Sequence, residues 1–326
     1  VIAEVGINHN GEFDKAVRMI EDAAAAGCEC LKLQCHVVSD EMVYNEVVPG
    51  NASESIWNMM NRCSLDEVQE RELMQLVRDK GMIFLSTPFS RAAADRLEAM
   101  GVCAYKIGSG ECNNLPLIEH IAGFGKPVLL STGMNDLESV SRSVEVLEAS
   151  GVEYALFHCT SMYPTPYDKV RLGAMVELME RFPSVPVGLS DHSLGNYTCF
   201  GATALGASLL EKHFTSDLSW PGSDIPISIT PEGLKDLIVG SRAIFEASGG
   251  SKQVLEEEGP CIAFAYSCVV AIKDICEGDE LGPDNIWVKR PGTGEIRAAE
   301  YKSLFGRRAT RPIAHDEQLG WEDIES

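Results

Sequence analysis

Short apolar runs alternate with longer amphipathic segments through residues 1–247. A short apolar run that ends in polar or glycine residues is typical of a buried parallel strand, and apolar residues at helical spacing indicate a helix packed against it. Strands are predicted at residues 1–5, 30–34, 82–86, 104–107, 127–131, 154–159, 186–190 and 208–213. Helices are predicted at residues 13–26, 65–80, 91–100, 114–124, 137–149, 170–181, 196–205 and 231–247.

Several helix ends can be predicted from the residues that flank them. Ser64 precedes the second predicted helix, and Glu67 follows it three residues later, which is the spacing of a capping box. A glycine after the last helical residue commonly ends a helix in a left-handed conformation. We therefore expect four helices to end at Gly27, Gly81, Gly101 and Gly151.

Eight strand–helix units in succession are what a closed (β/α)8 TIM barrel requires. The alternative, a doubly wound sheet, is disfavoured because no G-x-G-x-x-G follows the first strand. We assign the barrel to residues 1–248. Its longest connection, residues 35–63, follows the second strand, and long connections of this kind usually build the active-site face of a barrel.

The composition changes after residue 248. Residues 249–264 include GGSK and EEEGP and are predicted to form an exposed linker. Residues 265–326 are predicted to form a small β-rich domain with strands at 268–272, 285–288 and 309–312. A domain of about 60 residues has only a marginal core, so we expect it to lean on the barrel or on a partner subunit.

The charge argues against a nucleic-acid-binding protein, and the distribution of apolar residues argues against a membrane-spanning protein. The chain has 27 Lys and Arg residues against 49 Asp and Glu residues, a formal net charge of −22, which repels the phosphate backbone of nucleic acids. No apolar run approaches the roughly 20 residues needed to cross a bilayer. An anionic ligand would have to be captured by a local basic pocket against the field of the whole protein.

The eleven cysteines predict reduced, mostly buried thiols. Their number is odd and no C-x-x-C pair is present, which suits a cytosolic protein better than a disulfide framework or a zinc site. The sequence starts without a Met or a basic n-region, so we expect a signal peptide to be absent or removed. The expected location is the cytoplasm.

Polar and ionisable residues cluster where the predicted strands end, which is where a barrel carries its chemistry. Two of them are the strand lysines Lys32 and Lys106. The hydroxyl donors at these ends are Thr87, Ser109, Ser131 and Ser190. Together they predict a pocket for a small ligand with phosphate and carboxylate groups. Lys32 also has a purely structural interpretation as a core lysine paired with Glu4.

Two histidines, His192 and His213, end the seventh and eighth predicted strands, which are neighbours in a barrel. Their imidazoles could approach one ion, with Asp191 and Glu211 as carboxylates that orient the rings. Two protein ligands leave most positions of an octahedral ion open. This favours Mn²⁺, with Mg²⁺ or Co²⁺ as alternatives, acting as a Lewis acid. The structural alternative is that both histidines only make hydrogen bonds.

Successive strand-end motifs give the chain a resemblance to a known family. The motifs are residues 4–11 (EVGINHNG), 86–90 (STPFS), 105–111 (YKIGSGE), 130–134 (LSTGM), 188–192 (GLSDH) and 221–224 (PGSD). In this order they resemble the sialic acid synthase family. Residues 285–292 (NIWVKRPG) resemble the antifreeze-like (SAF, β-clip) domain that follows the barrel in these enzymes. The resemblance covers essentially the whole chain.

The resemblance implies that the enzyme condenses phosphoenolpyruvate with open-chain N-acetylmannosamine to give N-acetylneuraminate and phosphate. The phosphoenolpyruvate site that it implies is Lys32, Thr87, Lys106, Ser109, Ser131, Ser161 and Ser190. It implies a metal on His192 and His213. The residues implied for sugar hydroxyls or proton transfer are Gln34, Glu111, Tyr163 and Asp224. Arg290 is implied to reach the N-acetyl group across a domain-swapped homodimer.

The expected chemistry gives one further residue a role. The C3 carbon of phosphoenolpyruvate is a weak nucleophile, so the aldehyde must be activated. Its attack leaves positive charge at C2, where water adds before phosphate departs with C–O cleavage. Glu4 is a hypothesis for stabilising that charge or moving a proton of the water.

Two departures from the family pattern and three alternatives stay open. Ser161 stands where relatives often carry Asn, and the usual leader before the first strand is missing. The alternatives are a synthase of a related nonulosonate (legionaminate or pseudaminate) or of the 9-phosphate from a 6-phosphorylated sugar, a 3-deoxy-heptulosonate synthase, and a non-catalytic barrel. The last is disfavoured because a scaffold has no reason to keep both lysines and both histidines.

Overall fold

The protein, described here from a computed structural model that covers residues 1–325, consists of two compact units. The first is Val1–Gly249, and the second begins at Gly250. The two units are described separately below.

The first unit contains eight parallel strands. They are β1 (Ile2–Gly6), β2 (Cys30–Cys35), β3 (Ile83–Pro88), β4 (Tyr105–Ile107), β5 (Val128–Ser131), β6 (Tyr154–Cys159), β7 (Val187–Asp191) and β8 (Leu209–His213). Hydrogen bonds connect them in the order β3-β2-β1-β8-β7-β6-β5-β4, and β4 also packs beside β3. Because β1 joins β8, the sheet curls into a barrel, which confirms the predicted fold class.

Helices follow the strands and cover the outside of the barrel. The main ones are α1 (Phe13–Ala25), α4 (Glu67–Asp79), α5 (Arg91–Met100), α6 (Leu115–Ala122), α7 (Leu137–Ser150), α9 (Leu172–Arg181), α10 (Tyr197–Ala204) and α11 (Pro231–Ala247). Three short helices lie in connections: α2 (Val38–Glu41), α3 (Ile56–Cys63) and α8 (Tyr167–Val170). The long connection of residues 35–63 therefore contains two helical segments, α2 and α3.

One of the predicted helix ends is wrong and the others hold. The N-cap of α4 is Asp66, whose carboxylate accepts from the Gln69 backbone N–H at 2.9 Å while the Gln69 side chain accepts from the Asp66 N–H at 3.1 Å. Ser64 instead donates to the carbonyl of Met60 at 2.6 Å, at the end of α3. The carboxylate is the better acceptor for the free N–H groups, so the capping box is displaced by two residues. The four predicted glycines each have a positive φ angle, and each lies at or just after the end of a helix: Gly27, Gly81, Gly101 and Gly151.

The barrel interior is apolar at one end and ionic at the other. Ile2, Leu85 and Phe157 form a buried apolar cluster inside it. Alternate residues of a strand share a face, so the next inward positions after Ile2 and Cys30 are Glu4 and Lys32, which are paired in the β1–β2 register. The larger apolar core lies outside the strands, against the helices. The carboxyl end of the barrel is thus available for polar chemistry.

The second unit is β-rich, as predicted, but has fewer strands. β9 (Cys268–Ala271) and β10 (Ile286–Lys289) pair antiparallel. The strand predicted at 309–312 is wrong, because Ala309 makes only a single bridge, to Ile324. The predicted linker segment contains a short helix, α12 (Gly259–Ala265), beside exposed residues. A small core of aliphatic side chains, including Val269, Leu281 and Ile313, holds the unit together.

Two further expectations can be compared with the structure. No helix within residues 1–325 has the length and apolar character needed to span a membrane. None of the eleven cysteines forms a disulfide, and seven are buried, whereas Cys103, Cys261 and Cys276 are exposed.

The close approach of β7 to β8 generates the first prediction. A Cβ atom on Gly188 would lie 2.3 Å from the carbonyl oxygen of Leu209, so Gly188→Ala must push the two strands apart. We expect a loss of about 1–3 kcal/mol in the free energy of unfolding, measured by denaturant titration. Gly173→Ala is the control: its Cβ meets no atom within 4 Å in α9, and a helical Gly→Ala change stabilises by about 0.5–1 kcal/mol. Equal stability of the two variants would contradict the strand contact.

Candidate active site

A cavity of about 290 Å³ opens at the carboxyl ends of the barrel strands. All but three of the predicted site residues line it. They are Glu4, Lys32, Gln34, Thr87, Lys106, Ser109, Ser131, Ser161, Tyr163, Ser190, His192 and His213. Residues from β1 to β8 therefore converge on one volume, as expected for the catalytic end of such a barrel.

The three remaining candidates lie elsewhere. Glu111 ends a 3-10 turn after β4 and accepts a hydrogen bond from the Asn114 side chain at 2.5 Å. Asp224 is buried but is not among the residues that line the cavity, and its Oδ2 lies 3.8 Å from His213 Nδ1. Arg290 lies in the second unit, exposed, after the end of β10.

The two lysines are buried among carboxylates. Lys32 Nζ lies 3.0 Å from Glu4 Oε1 and 3.7 Å from Glu211 Oε1, and Lys106 Nζ lies 3.7 Å from Glu211 Oε2. All four side chains are less than a tenth exposed. The cavity therefore holds two cations and two anions, and it is less positive than the sequence predicted, because Glu211, expected to orient the imidazoles, pairs with the lysines instead.

Burial and ion pairing shift the pKa values of these lysines and carboxyl groups in different directions. Burial opposes the charge on Lys32, but Glu211 and Glu4 outweigh it and raise the pKa of the Lys32 ammonium. For Lys106, burial prevails over the attraction of Glu211 and, with the repulsion of Lys32, lowers the pKa. Burial, helped by Glu211 and opposed by Lys32, raises the pKa of Glu4. Lys32 is thus the firmly charged cation, and Glu4 is the carboxyl group most easily protonated.

Three hydroxyl groups of the cavity accept a hydrogen bond and keep a proton that can be donated. The Thr87 hydroxyl accepts from Lys32 Nζ at 3.1 Å, and the Ser131 hydroxyl accepts from Lys106 Nζ at 2.6 Å. The Ser109 hydroxyl accepts from the Gly133 backbone N–H at 3.0 Å. Because each oxygen already accepts a bond, each hydroxyl proton is free to donate. Ser190 differs, since its hydroxyl donates to Glu211 at 3.0 Å.

The predicted histidine pair is adjacent, as the strand order requires. The ring centroids of His192 and His213 are 5.3 Å apart, and the Tyr163 ring stacks on His192 at 4.2 Å. His213 is fully surrounded, and burial together with the nearby cations lowers its pKa well below the usual value. For His192, burial is outweighed by the Cys159 sulfur and the Thr160 carbonyl, which raise its pKa to about 9. A metal ion bound to a ring nitrogen of His192 would take the place of the proton that the raised pKa retains there.

The residues at this pair fit a divalent ion with two protein nitrogen ligands. The Nδ1 atom of His213 is buried with no hydrogen-bond partner, so no hydrogen bond within the described residues occupies this nitrogen. His192 Nδ1 bonds to the Thr160 carbonyl at 2.9 Å, so its other ring nitrogen faces away from that contact. Within residues 1–325 no cluster of three or more candidate ligands occurs. Water and substrate oxygens would have to fill the other positions of such an ion.

The two carboxylates expected to orient the imidazoles, Asp191 and Glu211, pair with lysines instead. Asp191 lies on the outer face of β7, opposite to Ser190 and His192, because side chains alternate along a strand. There it pairs with Lys212 at 2.5 Å, and both side chains are essentially inaccessible. Asp191 also accepts from Thr198 at 2.8 Å. The prediction that Asp191 and Glu211 support the rings is wrong, since Glu211 contacts Ser190 and the lysines.

Sequence reasoning missed three residues that shape the cavity or its wall and gave a fourth, Glu211, the wrong partners. Glu211 lies two residues before His213 in β8, and strand alternation places it on the inner face, where it meets the lysines. Cys159 lines the cavity at the end of β6. Asn8 donates to the carbonyl of Phe214 at 2.9 Å and to Ser228 at 2.8 Å, tying the turn after β1 to the connection after β8. Lys212, the partner of Asp191, gave no signal beyond its position in an apolar strand.

Comparisons with known proteins agree with this geometry. Residues 19–253 match the NeuB family, and residues 266–325 match the SAF domain. The chain is 36% identical to N,N'-diacetyllegionaminic acid synthase of Campylobacter jejuni, covering 98% of both chains. It is 30% identical to human N-acetylneuraminate-9-phosphate synthase, covering 100% of this chain and 92% of the human one. A crystal structure of N-acetylneuraminic acid synthetase from Leptospira borgpetersenii superposes with a TM-score of 0.74 at 29% identity, over 80% of this chain and 89% of that one.

The buried pair of Lys212 and Asp191 generates the second prediction. Lys212→Met leaves an uncompensated carboxylate in the wall behind His192, and we expect a loss of about 3–5 kcal/mol in the free energy of unfolding. The control is Lys126→Met, which removes a partly exposed pair with Glu98 and should change stability by about 0–1 kcal/mol. Denaturant unfolding of both variants measures the difference. Equal losses in the free energy of unfolding would show that the Lys212–Asp191 pair stabilises the protein no more than the Lys126–Glu98 pair does.

Proposed function

The chain belongs to the NeuB family of sialic acid and other nonulosonate synthases and carries an SAF domain, and from this premise we propose that it condenses phosphoenolpyruvate with an N-acetylated amino sugar. The products would be a nine-carbon nonulosonate and phosphate. The observation that carries the proposal is the single cavity into which two lysines, three free hydroxyl donors and two imidazoles converge. An anionic enol ester and a carbonyl substrate both find complementary groups there.

Phosphoenolpyruvate is assigned to the lysine side of the cavity. Lys32 and Lys106 would attract its anionic groups, and charge-assisted bonds to phosphate and carboxylate are the strongest available to them. The hydroxyl protons of Thr87, Ser109 and Ser131 are free to donate, as their accepted bonds indicate. These contacts would fix the enol carbon without relying on the net charge of the protein.

The sugar aldehyde is assigned to the histidine side. His192 and His213 would hold a divalent ion, for which Mn²⁺ is the first choice, and a bound ion of this kind polarises a carbonyl oxygen as a Lewis acid. Tyr163, stacked on His192, would limit where the sugar can lie. Gln34, Glu111 and Asp224 remain the candidates for sugar hydroxyls, although only Gln34 lines the cavity.

The two buried carboxylates have a separate role in the proposal. Attack by C3 of phosphoenolpyruvate leaves positive charge at C2, and Glu4 and Glu211 lie on the same cavity wall as the lysines. A fixed negative charge stabilises such a cation in a dry site far better than water would. Since burial raises the pKa of Glu4, this residue can also exchange a proton with the water that adds at C2.

N-acetylmannosamine is the first candidate acceptor, and a diacetylated amino sugar is the second. The second has direct support, because relatives at 36% and 34% identity are named N,N'-diacetyllegionaminic acid synthases. A 6-phosphorylated acceptor is less favoured, because the cavity contains no cation besides Lys32, Lys106 and the histidines among the described residues. The proposed reaction is therefore the synthesis of a nonulosonate from an uncharged amino sugar.

The SAF domain is proposed to contribute to the sugar site through Arg290 in a homodimer. Arg290 lies with Lys289 in a surface hollow of that domain, and its guanidinium is exposed. An arginine can donate to an acetamido carbonyl oxygen with fixed geometry. This role is carried over from the family resemblance.

The proposed reaction is tested by phosphate release. Purified protein with Mn²⁺ should release phosphate only when phosphoenolpyruvate and an amino sugar are both present. The panel contains N-acetylmannosamine, its 6-phosphate and the diacetamido sugar that yields N,N'-diacetyllegionaminic acid. Removal of metal by a chelator should abolish release, and added Mn²⁺ should restore it. Release with erythrose 4-phosphate instead would favour a heptulosonate synthase.

The role of Glu4 gives a further prediction. Glu4→Gln removes the negative charge beside C2 but keeps the shape, and we expect turnover to fall by about 10²–10⁴-fold. The KM for phosphoenolpyruvate should change much less, because Lys32 and Lys106 remain. Glu98→Gln, at a surface pair with Lys126, is the control and should keep full turnover. An unchanged rate in Glu4→Gln would remove this residue from the mechanism.

A further inference from the structure

One buried histidine contacts the site without lining the cavity. His36 follows β2 directly, is 5% exposed, and stacks on the Phe89 ring with centroids 4.7 Å apart and an interplanar angle of 11°. The stacking fixes the plane of the imidazole. Nothing in the reaction described above uses this side chain.

Both ring nitrogens of His36 face oxygen atoms. Nδ1 lies 2.8 Å from Glu41 Oε2, on the short helix α2 of the long connection. Nε2 lies 3.0 Å from the side-chain oxygen of Gln34. The amino group of the same Gln34 donates to Glu4 Oε1 at 3.0 Å. The contacts thus form a chain from Glu41 through His36 and Gln34 to Glu4.

The acceptor at the Glu4 end of this chain fixes the direction of the bonds made by Gln34. Glu4 Oε1 also receives Lys32 Nζ at 3.0 Å, so it acts as an acceptor and the amide of Gln34 must turn its amino group toward it. The Gln34 carbonyl oxygen is then left facing His36. A carbonyl oxygen can only accept, so the Nε2 atom of His36 is the donor in this contact. The contact of Nδ1 with Glu41 holds the ring so that Nε2 faces Gln34.

We propose that His36 is a positioning residue that sets the orientation of the Gln34 amide and thereby the polarity of the sugar site at this edge. With its carbonyl held by His36, Gln34 offers the cavity an N–H donor, so the ligand must bring an oxygen acceptor there. A reversed amide would offer a carbonyl and select a hydroxyl donor instead. This inference rests on the proposed function for the identity of the ligand as a sugar.

The other ionisable groups near His36 do not compete for this role. Burial, with a contribution from the neighbouring His36, lowers the pKa of His9 to about 4, so His9 stays neutral. Glu70, on α4, is engaged by Arg96 at 3.1 Å. The carboxylate in contact with the imidazole is Glu41. Glu41 is thus the group that fixes the rotation of the His36 ring.

The kinetic test uses His36→Phe, which keeps a flat ring against Phe89 and removes the Nε2 donor to Gln34. We expect the KM for the acceptor sugar to rise about tenfold, the effect of one lost hydrogen bond to a buried group. The KM for phosphoenolpyruvate should stay within about twofold. Glu41→Gln keeps an acceptor but removes the charge, and should raise the sugar KM by a smaller factor. This second variant carries the test if His36→Phe does not fold.

The matched control is His120→Phe. His120 also bonds to a carboxylate, Asp95 Oδ1 at 2.7 Å, and packs on an aromatic ring, Phe124 at 5.0 Å, but it lies on the outside of the barrel in α6. Its KM values should be unchanged. In a Gln34→Met background, His36→Phe should add nothing further, because the positioned amide is already gone.

A measurement without substrate separates this inference from the proposed function. In protein labelled with ¹⁵N-histidine, the ring signals missing from His36→Phe belong to His36, and its Nε2 atom should carry a proton in the wild type. Failure of phosphate release would overturn the function and leave this result to decide the role of His36. An Nε2 atom without a proton overturns the inference, as does an equal rise in both KM values or an additive effect in the Gln34→Met background.

Discussion

The ionic cluster inside the barrel is the constraint on which the rest of the site depends. Lys32, Lys106, Glu4 and Glu211 are removed from water, and an isolated buried charge is so unfavourable that each needs a partner in place. Their separations of 3.0–3.7 Å are set by the register of β1, β2, β4 and β8. The barrel must therefore hold these strands rigidly, and the apolar cluster of Ile2, Leu85 and Phe157 beneath supplies part of that rigidity.

The same cluster explains how an acidic protein can present a site for an anion. The two lysines concentrate positive charge at one end of the barrel, and each donates to a hydroxyl group of the cavity, Thr87 or Ser131. Glu211 lies 3.7 Å from both ammonium groups and holds them in place. A trianionic ligand would meet donors that are already oriented, so little reorganisation accompanies binding.

Strand alternation separates two networks that are adjacent in sequence. On β7 and β8, Ser190, His192, Glu211 and His213 face inward, whereas Asp191 and Lys212 form a dry ion pair on the outer face. The outer pair links the two strands one residue before each imidazole. The hydrogen-bonded series from Glu41 through His36 to Gln34 supports the end of β2 in a comparable way. Glu41 belongs to the long connection that follows this strand.

The sequence by itself determined the order of strands and helices, the fold class and which residues gather at the carboxyl end, because periodicity and strand ends are local properties and a barrel brings all eight ends together. It missed the pairing of Glu211 with the two lysines and assigned Asp191 to the wrong face. It also had no way to find the His36–Gln34 contact. Pairing of buried charges depends on distances between strands far apart in the chain, and only the folded register fixes those distances. Spacing in the sequence could name the charged residues, but the tertiary structure decided which of them neutralise one another.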